Sequence, residues 1–199
     1  MDIPKKHLST LKELFAVEHS AIAAKLKFID GSYNVIDDSL LVKSIGLLDE
    51  LSRFDDERFK KVVVIVSAIL WTYKDETWDG LSEYLILVLN RIGFPPSAIM
   101  IDKSYDSEKS QLSGLNSLIN QFSISIHHFK HEIFIDGKKI LTTDFQKRVW
   151  DKLNKVSLLG ISAPTSAGKS FIILMKSIDE LIKNGGNIYA IYYKGRGRY

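Results

Sequence analysis

The sequence has no cysteine, no apolar run long enough to cross a membrane and no secretory signal. Without cysteine there can be neither a disulfide framework nor a thiolate metal site, so we expect a cytoplasmic protein. The longest apolar run, Val62–Trp71, is interrupted only by Ser67 and is far shorter than the roughly 20 residues of a membrane span. The N-terminus begins Met-Asp-Ile-Pro-Lys-Lys and lacks the apolar core of a signal peptide. We therefore expect no membrane partner.

What the sequence does contain is enough apolar material for folded domains and an uneven distribution of charge. The 199 residues are 45% hydrophobic, which suffices for one large domain or two small ones. Residues 131–199 hold 12 Lys+Arg against 6 Asp+Glu, whereas residues 1–130 hold 15 against 18. The basic C-terminal part suits a polyanionic partner such as nucleic acid, although an ordinary mixed surface explains the imbalance equally well.

Helical periodicity dominates the first 130 residues. Apolar residues recur every three or four positions, as at Leu8, Leu11, Phe15, Ile22 and Leu26, which is typical of amphipathic helices. We predict helices over residues 8–28, 39–54, 57–73, 78–94 and 107–122. Together they form an α-helical accessory domain, residues 1–130.

Strand signals appear from residue 131 onward. Two short apolar runs flank Asp136-Gly137 and predict a β-hairpin over residues 132–141. A helix is expected over 144–153, a strand over 156–162, a helix over 169–183 ended by Gly185-Gly186, and a strand over 188–193. This βαβ order predicts an α+β chain, in which residues 131–199 begin an α/β domain.

The segment between the predicted strand and helix, residues 163–170, carries the chemistry of a phosphate-binding P-loop. Gly168 lets the backbone approach an anion, Lys169 supplies a positive charge for the β- and γ-phosphates, and the hydroxyl of Ser170 can coordinate Mg²⁺. We therefore expect ATP and Mg²⁺ as cofactors. The predicted nucleotide-binding residues of this loop are Ala163, Pro164, Thr165, Ser166, Ala167, Gly168, Lys169 and Ser170.

The loop departs from the common P-loop pattern because Ala163 stands where the first glycine would be. The form Ala-x-Thr-x-x-Gly-Lys-Ser resembles motif I of superfamily 2 helicases, especially the DEAD-box and DEAH-box branches. The resemblance covers about residues 140–193. It implies a RecA-like ATP-binding domain, an ATP hydrolase that moves along DNA or RNA when complete, and a nucleic-acid partner.

A second motif, Leu141–Trp150, resembles the Q motif of the same superfamily. There a glutamine amide, which offers one acceptor and two donors, can contact N6 and N7 of adenine together. Gln146 is the candidate for adenine recognition, and Phe145 is a weaker candidate for stacking on the base. In the alternative interpretation these residues only start a helix, with Asp144 as the cap and Phe145 in the core.

Several parts of a complete helicase are missing from the sequence. It contains no Asp-Glu pair at the end of a later strand, no Ser-Ala-Thr element and no second domain with arginine fingers. Asp179-Glu180 lies within a predicted helix, where a solvated helix face is the better explanation. We assign no catalytic residue and expect the chain to be truncated before motif II and inactive alone. Its last residues, 194–199, alternatively form a small Arg/Gly nucleic-acid tail.

Two other clusters have ordinary explanations. His127, His128 and His131 could bind a metal, but a helix-to-strand junction is the preferred interpretation. The acidic run 55–57 is better explained by the start of a helix than by a nuclease site. The alternative function for the whole chain is a helical interaction module that docks a protein partner and retains only a vestigial P-loop.

Overall fold

The computed structural model describes residues 3–28, 35–101, 118–163 and 167–187. The chain divides into two compact units, residues 1–131 and 132–199. The division falls within one residue of the point where helical periodicity gives way to strand signals. In these described ranges the structure is mostly helical with one two-stranded antiparallel sheet, which is an α+β composition. None of the helices described has both the length and the apolarity to cross a bilayer.

The helices and strands follow in a simple order. The first unit holds α1 (Lys5–Lys25), α2 (Asp38–Leu51), α3 (Glu57–Thr72), α4 (Leu81–Arg91), α5 (Ser97–Ile101) and α6 (Leu118–His131). The second unit holds β1 (Glu132–Ile135), β2 (Lys138–Leu141), α7 (Asp144–Leu153) and α8 (Lys169–Asn184).

The core of the first unit lies among α1 to α4. Leucine and valine side chains dominate it, and Leu47, Leu48, Val63 and Leu85 are completely buried. Acidic side chains begin two of these helices: Asp37 accepts a hydrogen bond from the Leu40 amide at 2.7 Å. Asp56 does the same for Arg58 at 2.8 Å, so the acidic run 55–57 does start a helix, as predicted.

The face that α1 buries differs from the predicted one. Phe15 and Ile22 are 40% and 44% exposed, whereas Leu14 and Val17 are buried. Both sets of residues recur at helical spacing, so periodicity located the helix without deciding which side enters the core.

The last helix of the first unit, α6, continues to His131, past the predicted end at residue 122. It runs from Leu118 to His131, and the residues from 107 to 117 of the predicted helix lie outside the described ranges. Its inner side packs Ile124 against Ile86 and Ala98. His128 and His131 are also buried on this helix, which ends where β1 begins.

The second unit is built on the predicted hairpin. Glu132 is opposite Leu141 and Ile135 is opposite Lys138, so Asp136 and Gly137 form the turn, both with positive φ. Ile133 and Ile135 on the hairpin pack with Val149 and Trp150 of α7 and Ile172 of α8. This core is small, but it fixes the start of α7 and the start of α8.

The predicted strand over residues 156–162 is not formed. The segment has no regular secondary structure, although Leu159 and Ile161 pack against the core of the second unit. A strand needs a neighbour for its backbone hydrogen bonds, and in the described part of the chain the only paired strands are β1 and β2. The strand predicted over 188–193 lies outside the described residues. Val156 and Leu158 are 46% and 90% exposed, so the apolar run indicated neither sheet pairing nor full burial.

Candidate nucleotide-binding site

The first turn of α8 has the local features of an anion-binding helix terminus. Gly168 precedes the helix with φ 75° and ψ 31°, a left-handed conformation that glycine adopts without strain. Lys169 is the first helical residue, Ser170 is exposed, and no acidic residue occurs in the first turn. The exposed N–H groups and the positive end of the helix dipole therefore face no local negative charge.

Lys169 joins the two ends of the predicted loop. Its ammonium group donates a hydrogen bond to the carbonyl oxygen of Ala163, six residues earlier. The structure thus brings Ala163, Ala167, Gly168 and Lys169 together, while Pro164, Thr165 and Ser166 lie outside the described residues. The contact links Ala163 to the first residue of α8, on either side of residues 164–166.

Gln146 lies beside this loop although it belongs to another helix. The side-chain amide nitrogen of Gln146 occupies the space in which a Cβ atom on Gly168 would fall, and the amide carbon would be 3.4 Å from that atom. Gly168 is therefore needed twice, for its left-handed backbone and for room beside Gln146. The two residues, 22 positions apart in sequence, form one local group at the start of α8.

The same glutamine also closes a capping box at the start of α7. The backbone N–H of Thr143 donates to Gln146 Oε1 at 2.9 Å, and the backbone N–H of Gln146 donates to Thr143 Oγ1 at 3.3 Å. Thr143, and not Asp144, is therefore the cap of α7. Thr143 directly precedes the helix, and its side chain accepts from the backbone N–H of Gln146, the third helical residue. The spacing Thr-x-x-Gln is the sequence signature of this box and could have identified Thr143 beforehand.

The capping box uses only part of the hydrogen-bonding capacity of the Gln146 side chain. A carbonyl oxygen has two acceptor positions, of which the Thr143 amide takes one. The amide nitrogen, directed at Gly168, carries two donor hydrogens. Phe145, by contrast, is half-buried and packs against the apolar core of the second unit. Phe145 therefore packs where the alternative interpretation of this motif predicted, against the core.

The predicted solvated face at Asp179-Glu180 is wrong for the first of these residues. Asp179 is only 1% exposed, and its carboxylate accepts hydrogen bonds from Lys176 at 3.0 Å and Lys183 at 2.8 Å. Burial raises the pKa of Asp179, but the hydrogen bonds from Lys183 and Lys176 outweigh it and hold that pKa below its usual value.

Lys176 extends this ion pair across to α7. Its ammonium group also reaches Asn154 Oδ1 at 2.6 Å and Glu180 Oε1 at 2.7 Å, and lies 5.0 Å from the centre of the Trp150 ring. The acidic pair of α8 therefore belongs to a network that fastens α8 to α7. Since α7 carries Gln146 and α8 begins at Lys169, this network also supports the geometry of the loop.

The histidine cluster does not converge on one point. His131 Nδ1 lies 2.6 Å from the backbone oxygen of His127, one turn earlier in the same helix. Burial, the first cause, and the neighbouring His131 lower the pKa of His127. Among the residues that the structure describes, no three or more His, Asp or Glu side chains are grouped so as to hold a metal ion.

Comparisons of the chain with protein-family models, with curated proteins and with solved structures find no match in any of the three.

Proposed function

We propose that this chain binds ATP with Mg²⁺ through residues 163–170 and Gln146, as the N-terminal part of a superfamily 2 nucleic-acid helicase or translocase. The observation that carries the proposal is the meeting of Gln146 and Gly168 at the acid-free N-terminus of α8. Two segments that resemble motifs of one superfamily meet at this place in the fold. A lysine at that place and a glutamine amide beside it match the two ends of a nucleotide, a polyanionic tail and a hydrogen-bonding base.

In this proposal each residue has one task. Lys169 exchanges the Ala163 carbonyl for phosphate oxygens, a charge-assisted contact that is roughly twice as strong as a neutral hydrogen bond. Backbone amides of the first turn of α8 donate to the same phosphates. The Ser170 hydroxyl, which is exposed at the helix start, would hold Mg²⁺, and the ion would neutralise charge on the β- and γ-phosphates.

Gln146 would select adenine. Its remaining acceptor position meets the N6 donor and its amide nitrogen meets the N7 acceptor, while the Thr143 amide holds Oε1 in place. A glutamine already fixed by a capping box loses little side-chain entropy when the base binds. Coupling to nucleic acid, a RecA-like sheet and hydrolysis belong to the full-length relative that the motifs imply.

The proposal is tested by ATP binding to the whole chain, measured by calorimetry or with a fluorescent ATP analogue in the presence of Mg²⁺. Lys169→Ala should abolish binding. Lys152→Ala is the matched control, since Lys152 is an exposed lysine on α7 of the same unit and its loss changes net charge equally. Circular dichroism establishes that both variants remain folded.

Two outcomes would overturn the nucleotide function. One is the absence of binding at millimolar ATP; the other is equal loss of binding in both lysine variants, which would indicate attraction to general positive charge. Either result would favour the helical interaction module, for which the existing bond between Lys169 and the Ala163 carbonyl is the supporting observation. In such a module Lys169 would keep its bond to the Ala163 carbonyl permanently and have only a structural role.

A further inference from the structure

Helix α6 is apolar on two opposite sides, and within the part of the chain that the structure describes only one of them is covered. Ile124, His128 and His131 face inward and are buried, with Ile124 packed against Ile86 and Ala98. On the outer side Ile119, Phe122, Ile126 and Phe129 are between 54% and 79% exposed. At about 100° of rotation per residue these four side chains fall within a band roughly 80° wide. We call this band the outer stripe.

The outer stripe has the spacing of a coiled-coil seam. Its members are separated by three, four and three residues, the alternation that keeps apolar side chains facing a partner helix. Ser123 and Ser125 flank the stripe, and both are small and uncharged. Lys130 is the one Lys, Arg, Asp or Glu in the sequence of α6. The outer stripe is thus a second apolar side opposite the buried one, and an apolar stripe on a helix normally packs against another surface.

The exposed area is large enough to matter. With aromatic side chains contributing about 150–250 Å² each when fully exposed, the four residues present on the order of 600 Å² of apolar surface. That is at the upper end of the largest patches on monomeric proteins, which are about 300–600 Å². Two such stripes facing each other could bury at most about 1,200 Å², which reaches the lower bound for a specific protein interface.

A second copy of the chain fits this surface in one orientation. The stripe alternates Ile, Phe, Ile, Phe, so two antiparallel copies place Ile119 against Phe129 and Phe122 against Ile126 in all four layers. Each layer then combines one large and one smaller side chain. A parallel pair would instead oppose phenylalanine to phenylalanine and isoleucine to isoleucine, with unequal layers.

Charge favours the same orientation. Antiparallel copies place their two Lys130 side chains at opposite ends of the seam, roughly 16 Å or more apart. Parallel copies bring these ammonium groups side by side, where like charges repel. We propose that the outer stripe of α6 is a homodimer interface in which two copies of the chain pair their α6 helices antiparallel. The interface is self-complementary, as a two-fold dimer requires.

The first test is sedimentation equilibrium of the full chain over about 1–200 μM, because an interface of this size should dissociate in the micromolar range. The expected result is a reversible monomer–dimer equilibrium. Phe122→Lys or Phe129→Lys should weaken dimerisation at least tenfold. Val42→Lys is the matched control: Val42 is 68% exposed on α2, so the same kind of change outside the stripe should leave the dimer intact.

Orientation is tested by cross-linking, which the absence of cysteine makes simple. Chains carrying Ile119→Cys and chains carrying Phe129→Cys are mixed and treated with a short bismaleimide. Antiparallel pairing predicts cross-links in the mixture and few in Phe129→Cys alone; efficient linking of Phe129→Cys to itself would overturn it.

Three further results would overturn the homodimer. The chain could sediment as a monomer throughout, or its dimer could resist both lysine substitutions. A monomeric Phe129→Cys chain whose thiol reacts slowly with maleimide would show that the stripe is covered from within one chain. Circular dichroism of each variant separates loss of pairing from loss of folding.

Discussion

Gln146 joins two structures, the capping box of α7 and the loop before α8, and substitutions can separate its two roles. Thr143→Ala removes the hydroxyl that accepts from the Gln146 backbone N–H and leaves the side-chain amide of Gln146 in place. Gln146→Glu does the reverse, because glutamate still accepts from the Thr143 amide but has no N–H to donate to a base. Thr143→Ala should therefore lower stability without changing base recognition, and Gln146→Glu should change base recognition without lowering stability.

The magnitudes follow from the bonds. Loss of a threonine cap costs about 1 kcal/mol, so Thr143→Ala should lower the free energy of unfolding by that amount, with ATP affinity unchanged in the folded protein. The hydrogen bond from the Gln146 side-chain N–H to adenine N7 should contribute about 0.5–1.5 kcal/mol to base recognition. Gln146→Glu should keep the stability and lose the corresponding preference, about 2- to 10-fold, for ATP over 7-deaza-ATP, in which a C–H group replaces N7.

The assays are urea unfolding for stability and competition binding of ATP and 7-deaza-ATP for recognition of N7. Comparing the two nucleotides removes the repulsion between the new carboxylate and the triphosphate, since that repulsion weakens both equally. An unchanged ATP preference in Gln146→Glu would refute base recognition by this residue. A loss of preference in Thr143→Ala as large as in Gln146→Glu would show that the effect arises from the helix start and not from the amide.

Two further predictions concern stability. Gly46→Ala should stabilise the chain by about 0.5–1 kcal/mol, because Gly46 is within α2 with open space around it. Gly80→Ala should destabilise the chain by about 1–2 kcal/mol, because Gly80 has φ 79°. Urea unfolding of the two variants checks both signs. Asp179 has a depressed folded-state pKa, so its contribution is present above pH 3.8 and is lost as pH falls below that value. Asp179→Asn should therefore lower the free energy of unfolding at pH 7. At pH 3 the free energies of unfolding of the variant and of the unsubstituted chain should differ by less.

Local signals in the sequence predicted the local structure well. Helix α7 begins and ends at the predicted residues, 144 and 153, and the Asp136-Gly137 hairpin forms in the expected register. Helix α8 begins at Lys169 as predicted, since the glycine before it marks the boundary. Such features depend on a few neighbouring residues, and the chain carries that information within each segment.

Features that depend on distant partners were predicted less well. The run 156–162 is apolar enough for a strand, yet strand formation depends on a neighbour that no local pattern encodes. Asp179 looked exposed because charged residues in helices usually are, and only the surrounding lysines and the fold explain its burial. The approach of Gln146 to Gly168 could be expected from the resemblance between motifs, but no spacing rule would have predicted it.

The double use of Gln146 has a consequence for a single proton. The Thr143 amide hydrogen is bonded to Gln146 Oε1, so its exchange with solvent depends on where that side chain lies. Any event at the start of α8 that pulls the glutamine away would expose this hydrogen, and any event that fixes the glutamine would protect it. The amide of Thr143 is therefore a built-in reporter, readable by nuclear magnetic resonance, for the state of a loop more than twenty residues away along the chain.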